Sequence, residues 1–276
     1  DVDHSSVSKI IEADIAVFGQ VKDSLQAINN HLRSRKDEIN KEKLSPWHQQ
    51  ISEWRENHGL DHELYKNNSD ENPILPQAAV QHIYQESEGK AFVTSDVGQH
   101  QMFAAQYYHF DEPRKWINSG GLGTMGFGLP SAMGVKLAYP EEEVICITGE
   151  GSIQMCIQEL STCSQYKLPI KIFSINNLAL GMVKQWQDMN YEGRHSSISY
   201  EDSLPDFVGL AESYGHVGIK ITKNSELKEG IAKALAIKDK LVFVDIYVDP
   251  NEHVYPMLVA PNGSLKDMWL GKGEKT

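Results

Sequence analysis

Cysteine, positive charge and long apolar runs are all scarce in this sequence, and each scarcity excludes a class of protein. Only Cys146, Cys156 and Cys163 are present, with no CxxC spacing, which predicts small buried side chains in a reducing compartment. No apolar run approaches the ~20 residues that a membrane-spanning helix needs. The first residues, DVDHSSVSK, lack the basic start and apolar core of a signal peptide. These features predict a cytoplasmic protein that does not act in a membrane.

The formal net charge of −12 argues against nucleic acid or an acidic membrane surface as a partner. Hydrophobic residues make up 40% and charged residues 23% of the 276 positions, which is ordinary for a globular protein. That length suits one large domain with appendages. The first residue is Asp1 rather than Met, so the sequence is expected to be part of a longer protein.

The first 72 residues carry too little apolar sequence for a domain of their own. Residues 1–30 read as short extended pieces, one of them ADIAVF (13–18), followed by a helix, VKDSLQAINNHL. A unit of this size cannot bury a core alone, so we interpret it as the remnant of a second α/β domain. Residues 31–72 are polar and predict a surface linker with one amphipathic helix, in which Trp47 and Trp54 share a face.

From residue 73 to residue 250 apolar strands alternate with helices of 10 to 15 residues. The predicted strands are AFVTSDV, EEVICITG, IKIFSIN, HVGIKI and LVFVDIYVD, and a helix, SIQMCIQELSTCSQYK, is predicted after EEVICITG. Solidly apolar strands between helices are typical of a parallel sheet covered on both faces. The predicted fold is therefore α/β, a doubly wound parallel sheet, and such folds bind ligands beyond the carboxyl ends of their strands.

Polar or glycine-rich loops follow four of the predicted strands. They are Gly98–Gln101, the GGLGTMGFG segment after RKWINS, the Gly149–Ser152 turn and Asn176–Asn177. Glycines ahead of a helix let backbone N–H groups approach an anion. A carboxylate at Glu150 would repel a phosphate unless a divalent cation lay between them, and Mg²⁺ prefers such oxygen ligands. The four loops therefore predict one site for a phosphate and a cation.

Each motif alone has a plain structural explanation. Gly-acid-Gly and Asn-Asn are common turn sequences, and GLGTMGFG lies in the wrong place for a dinucleotide fingerprint. The combination is more specific, because 24 residues with one helix and one strand separate Gly151 from Asn176. With DVGQHQMFAAQYY, SGGLGTMGFGLPSAMG, LGMVKQWQDMNYEGRH and LPDFVGLAESYG, the chain resembles the C-terminal part of the catalytic subunit of acetohydroxyacid synthases (acetolactate synthases), which are thiamine diphosphate-dependent enzymes.

The resemblance implies a reaction and its ligands. These enzymes decarboxylate pyruvate on thiamine diphosphate and join the two-carbon unit to pyruvate or 2-ketobutyrate, in branched-chain amino-acid biosynthesis. The family pattern makes position 150, Asn177 and the carbonyl of Ala179 ligands of Mg²⁺. It assigns the remaining cofactor contacts to Gln99, His100, Gly123, Met125, Gly149, Gly151, Ser152, Gly181 and Met182.

The resemblance also implies roles outside the diphosphate loops. Met125 would hold the cofactor in its bent form, and Trp186 would recognise the acceptor beside Met182 and Val183. Asp1, Gln20 and Val21 align with loops that contact FAD, and residues 251–276 match a segment that closes over the active site. The resemblance further implies a homodimer or tetramer and a small regulatory subunit as a partner.

The chain departs from the family pattern in several places. Glu150 stands where the family has Asp, which predicts weaker binding of Mg²⁺, and Gln20 stands where the family usually has Asp. The glutamate that activates the cofactor belongs to an N-terminal domain that this sequence does not contain. Two alternatives therefore remain open: a truncated, non-catalytic relative, or another thiamine diphosphate-dependent carboligase or decarboxylase.

Overall fold

The computed structural model divides the chain into two compact units, Asp1–Gly59 and Leu60–Thr276. It describes residues 1–38, 40–58, 60, 63–66, 69–200, 202–258, 267–271 and 274–275. None of the described helices is long and apolar enough to cross a membrane.

The first unit is helical. A 3-10 helix at His4–Ser6 is followed by α1 (Val21–Ser34), a 3-10 turn at Lys36–Glu38 and α2 (Lys41–His58). The extended pieces predicted before α1 are not strands: no strand is assigned within residues 1–20, all of which are described. An isolated extended segment has no ladder partner, and Ile15 in the predicted strand is 84% exposed. On α2 the Trp47 and Trp54 rings meet edge to face at 5.5 Å, which confirms their predicted shared face.

The second unit is built on a six-stranded sheet in which every pairing is parallel, with the strand order β2-β1-β3-β4-β6-β5. Its strands are β1 (Phe92–Ser95), β2 (Trp116–Asn118), β3 (Val144–Thr148), β4 (Lys171–Asn176), β5 (Val217–Ile221) and β6 (Val242–Tyr247). The register places Ser95 beside Asn118 and Thr148 beside Ser174, so the carboxyl ends of β2, β1, β3 and β4 lie along one edge.

Helices cover both faces of this sheet, which confirms the predicted doubly wound α/β fold. They are α3 (Pro76–Glu86), α4 (Gln99–Tyr107), α5 (Gly128–Ala138), α6 (Glu150–Ile153), α7 (Glu159–Gln165), α8 (Gly181–Asn190), α9 (Phe207–Ser213) and α10 (Asn224–Ala236). Successive strand residues enter opposite cores: Ile145 packs with residues of α3, α4 and α10, whereas Cys146 packs with residues of α5, α7 and α9. Strands buried on both sides explain the continuous apolar runs.

The helix predicted after β3 is divided in two. The first helix, α6, ends at Ile153. The carbonyl of Glu150, which would accept a backbone N–H if the helix continued, accepts a hydrogen bond from the Gln154 side chain at 2.9 Å. Cys156 and Cys163 are nevertheless both buried, and all three cysteines are free, as predicted. Gly98–Gln101 was also predicted wrongly as a loop, because α4 already begins at Gln99.

A small antiparallel sheet near the C-terminus was not predicted. It consists of β7 (Met257–Leu258), β8 (Met268–Gly271) and β9 (Glu274–Lys275), in the order β7-β8-β9. Residues 259–266 of the predicted closing segment lie outside the described residues.

Candidate active site

A cleft with an empty volume of about 540 Å³ lies at the carboxyl ends of β1, β3 and β4. These strands are neighbours in the sheet, so the segments that follow them meet at one place. Most of the residues predicted from the sequence line the cleft, namely Gln99, His100, Met125, Gly149, Glu150, Gly151, Ser152, Asn177, Ala179, Gly181 and Met182. The structure therefore brings the β1, β3 and β4 motifs together.

Glu150 is a buried acid in the single turn of α6. Its Oε1 accepts a hydrogen bond from the N–H of Ala179 at 2.8 Å, and Oδ1 of Asn177 accepts from the same N–H at 3.2 Å. Burial raises the pKa of the Glu150 carboxyl to about 7, and the charge of Asp245 acts in the same direction. Two side-chain oxygens thus accept from one backbone N–H, at a buried place where solvent does not stabilise a negative charge.

The donor set fits a hard cation. Carboxylate and carboxamide oxygens are ligands that Mg²⁺ prefers, and Mg²⁺ usually takes few protein ligands together with phosphate oxygens. Within the part of the chain that the structure describes, no three acidic, histidine or cysteine side chains form a metal site by themselves. A cation at Glu150 and Asn177 would therefore need oxygens from a bound phosphate or from water. Glu150 would bind that cation while its Oε1 accepts from the N–H of Ala179.

A line of carboxamides runs from the cleft into the interior. Nδ2 of Asn177 donates to Oε1 of Gln99 at 3.0 Å, and Nε2 of Gln99 donates to Oε1 of Gln185 at 2.8 Å. Gln185 is fully buried and was not predicted as a site residue. A signal was available in its position on α8, four residues after Gly181 and three after Met182, which places it on their face of the helix.

Gly181 allows this line of carboxamides to form. A Cβ at position 181 would overlap the side-chain amides of both Gln99 and Asn177. A side chain at position 181 would therefore require these two amides to move.

His100 is a buried, neutral histidine beside the Glu150 turn. Burial lowers its pKa to about 4, although Asp96 partly opposes the shift. Among the described residues its Nε2 has no hydrogen-bond partner, and a Cβ at Gly149 would lie 2.7 Å from its Nδ1. The absence of a side chain at position 149 therefore leaves space for a neutral imidazole with one free nitrogen in the cleft wall.

Asp96 and Ser152 fix the loops around the cleft. Asp96 accepts from the N–H of Gly128 at 2.9 Å and from the hydroxyl of Thr148 at 2.7 Å, which joins the ends of β1 and β3 to α5. The hydroxyl of Ser152 donates to the carbonyl of Val97 at 3.0 Å. Asp96 was not predicted as a site residue, although it is an acid that directly follows a buried strand.

Several predicted residues do not line the cleft. Gly123 has φ +77° in the turn after β2, and Trp186 is half-buried on α8; neither is a lining residue. Asp1, Gln20 and Val21 belong to the first unit, where the carbonyl of Asp1 accepts from the N–H of Gly19 at 3.0 Å. The structure thus places Asp1 next to the turn that precedes Gln20.

Known proteins match both the cleft and the whole chain. The family described as thiamine pyrophosphate enzyme, C-terminal TPP binding domain, matches residues 96–246, which is more than half of the chain and includes the β1, β3 and β4 loops. The chain belongs to the thiamine pyrophosphate enzyme family. Its match to the C-terminal TPP-binding domain explains why the polar loops gather at one sheet edge.

Relatives of this thiamine pyrophosphate enzyme carry the name acetolactate synthase. The chain is 52% identical to the acetolactate synthase isozyme 3 large subunit of Escherichia coli (strain K12), over 100% of this chain and 47% of that protein. It is 50% identical to the large subunit of Haemophilus influenzae and 37% identical to that of Cyanidium caldarium, in each case over 100% of this chain, and over 47% and 46% of those proteins. These relatives confirm the resemblance stated from the motifs. The chain spans about half the length of the curated relatives it matches.

Proposed function

We propose that this chain is the C-terminal part of an acetolactate synthase large subunit, which decarboxylates pyruvate and condenses the two-carbon unit with pyruvate or 2-ketobutyrate. The observation that carries the proposal is the convergence of Glu150 and Asn177 on the N–H of Ala179 in the cleft. Their motifs are 24 residues apart, and the β3–β4 crossover brings the two side chains together. The relatives' names give the proposed reaction.

In this proposal the cleft holds thiamine diphosphate with Mg²⁺. The Glu150 carboxylate, Oδ1 of Asn177 and the carbonyl of Ala179 would ligate the cation. The remaining cofactor contacts would come from the lining residues Gln99, His100, Met125, Gly149, Gly151, Ser152, Gly181 and Met182. Gly123, which does not line the cleft, would contribute from the turn after β2. Thiamine diphosphate, when bound, supplies the carbon centre on which a 2-ketoacid loses its carboxylate.

The chain's own residues would bind and orient the reactants. Met125, Met182 and Val183 give the cleft an apolar wall, although Val183 is 45% exposed in this chain. The neutral imidazole of His100 offers a hydrogen bond without adding positive charge. Trp186 would favour the larger acceptor, 2-ketobutyrate, from a position beyond the lining residues.

We propose that this chain acts together with further sequence, FAD and partner subunits. The activating glutamate of the family is not among these residues, so we propose that turnover needs the region of the relatives that this chain does not span. Asp1, Gln20 and Val21 would contact FAD in a remnant of the central domain, residues 1–30, followed by the linker 31–72. Residues 73–250 would be the cofactor domain and 251–276 the closing segment. A homodimer or tetramer, a small regulatory subunit and a cytoplasmic location also remain predictions.

The test uses the full polypeptide that contains this sequence. Acetolactate formation from pyruvate is measured with and without Mg²⁺ and thiamine diphosphate, and binding of the cofactor is followed by calorimetry. We expect turnover that requires both additions, and loss of cofactor binding in Asn177→Ala. Conversion of pyruvate to acetaldehyde alone would favour another decarboxylase of the family. Absence of cofactor binding would favour a non-catalytic relative. The observation that supports this alternative is that Oε1 of Glu150 already accepts a backbone hydrogen bond from Ala179.

A further inference from the structure

Gln185 connects the cleft to the segment after β6. Its side chain is fully buried on α8. Its Oε1 accepts from Nε2 of Gln99 at 2.8 Å and from the N–H of Val254 at 2.9 Å, while its Nε2 donates to the carbonyl of Val254 at 2.9 Å. Gln185 does not line the cleft, so it can influence the site only through another residue.

The backbone of Val254 decides which way the Gln185 amide points. A backbone N–H can only donate and a carbonyl can only accept, so Oε1 of Gln185 must face the N–H and Nε2 must face the carbonyl. The same Oε1 lies against Gln99. Gln99 must therefore present its NH₂ group to Gln185 and its Oε1 to the opposite side.

This constraint passes from Gln99 to Asn177. Because Oε1 of Gln99 faces Asn177, the Asn177 amide must turn its NH₂ group towards Gln99. Its Oδ1 then lies on the side of Ala179 and Glu150. With every amide reversed, Asn177 would offer an NH₂ group there, and an NH₂ group is not a cation ligand.

The N–H of Ala179 constrains Asn177 only weakly. That N–H is shared between two acceptors, and Glu150 at 2.8 Å is nearer than Asn177 at 3.2 Å. The hydrogen bond to Gln99, at 3.0 Å, is thus the shorter of the two that Asn177 makes with these groups. The orientation of Asn177 therefore depends on Gln99. The orientation of Gln99 depends chiefly on Gln185, to which its Nε2 donates at 2.8 Å, because the same Nε2 lies 3.5 Å from the carbonyl of Glu252, its other acceptor.

We propose that Gln185 is a positioning residue: it sets the amide orientation of Asn177 through Gln99, so that the cleft presents an oxygen to the cation that accompanies the diphosphate. The inference rests on the proposed function, because it takes Asn177 as a cation ligand. It adds to that function a residue outside the cleft that affects binding of the cation, through Gln99 and Asn177, and not binding of the substrate.

Three variants separate positioning from folding. Gln185→Met removes both hydrogen-bonding groups with little change of shape. Gln185→Glu, whose buried side chain is neutral and donates its O–H to the carbonyl of Val254, keeps an oxygen towards Gln99 and so keeps the orientation of Asn177. Gln187→Met is the matched control, because Gln187 brackets the backbone of Ser196 in the same way, at 3.1 Å and 2.9 Å, on the same helix but outside the cleft lining.

The measurement is Mn²⁺ binding to the full polypeptide with thiamine diphosphate present, followed by electron paramagnetic resonance. We expect Gln185→Met to weaken Mn²⁺ binding by about 10-fold or more, the size of effect usual for residues that orient metal ligands. Gln185→Glu and Gln187→Met should bind Mn²⁺ within about twofold of the parent protein, whatever their unfolding temperatures. If Gln185→Met does not fold, Gln185→Asn takes its place, since it keeps an amide but withdraws it from Gln99.

The outcomes are distinct. Equal Mn²⁺ affinity in Gln185→Met and the parent would overturn the inference and leave the proposed function intact. Equal losses in Gln185→Met and Gln185→Glu would also overturn it, because orientation would then not be the cause. Absence of Mn²⁺ binding in the parent protein would overturn the proposed function, and the inference with it.

Discussion

Replacing Gly181 by alanine sets a steric cost against a gain in helix stability. Gly181 begins α8, and a Cβ there would overlap the amides of Gln99 and Asn177, which are held by hydrogen bonds. Overpacking of this kind costs about 1–3 kcal/mol. Alanine gains at most about 1 kcal/mol over glycine inside a helix, and less at its first residue. We expect Gly181→Ala to lower the free energy of unfolding by about 1–2 kcal/mol and to weaken cofactor binding.

Gly134 provides the matched control. It lies inside α5, and no atom lies within 4 Å of its added Cβ, so Gly134→Ala should stabilise the protein by about 0.5–1 kcal/mol. Urea unfolding measures both variants, and the loss for Gly181→Ala corresponds to a midpoint about 0.5 M lower. If the two variants unfolded at the same midpoint, the close approach at Gly181 could not be tight, and the reasoning would be refuted.

Three further substitutions test the site and the core. Glu150→Asp restores the shorter acid of the family pattern, and a carboxylate that no longer accepts from Ala179 has both oxygens free for Mg²⁺. The variant should therefore lower the Mg²⁺ concentration for half-maximal activity about 10-fold, and an unchanged requirement would contradict the predicted weakening. Burial raises the pKa of Asp245 from 3.8 to about 6, so its charge destabilises the fold increasingly as pH rises through that interval. Asp245→Asn should therefore gain about 3 kcal/mol in unfolding free energy above pH 6 and nothing below pH 3.8, and a pH-independent gain would count against burial as the cause. Trp186→Leu should reduce the preference for 2-ketobutyrate over pyruvate about 10-fold in competition assays. If the variant and the parent protein gave the same ratio of the two products, Trp186 would have no role in acceptor recognition.

The sheet and the place of the cleft could be predicted because they depend on patterns that local physics controls. Strands buried on both faces must be apolar throughout, and parallel strands place their carboxyl ends at one edge. That was enough to bring Gln99, Glu150 and Asn177 to one cleft. The resemblance then supplied the cofactor, which spacing alone did not identify.

What could not be predicted depends on contacts between distant residues. The break after α6 is accompanied by a hydrogen bond between the Gln154 side chain and the Glu150 carbonyl, a contact that apolar periodicity does not reveal. Gln185 looks like any polar residue in a helix until its partners, Gln99 and Val254, are known. The prediction of extended pieces in residues 1–18 was wrong for a related reason. An extended segment forms a strand only when another strand pairs with it.

The hydrogen bonds of the cleft join residues far apart in sequence, and this has a consequence for folding. Gln99 and Gln185 are 86 positions apart, and Gln185 and Val254 are 69 apart. Closing such large loops costs entropy that local structure cannot repay, so a partly folded chain cannot hold the site. A ligand of the cleft would then bind the native state alone and would raise stability by mass action, by about 2.7 kcal/mol at 100 times its dissociation constant. Thermal unfolding at increasing concentrations of thiamine diphosphate with Mg²⁺ would show this as a steady rise in Tm, and a constant Tm would show that no such coupling exists. The concentration of thiamine diphosphate would in this way determine what fraction of the protein is folded.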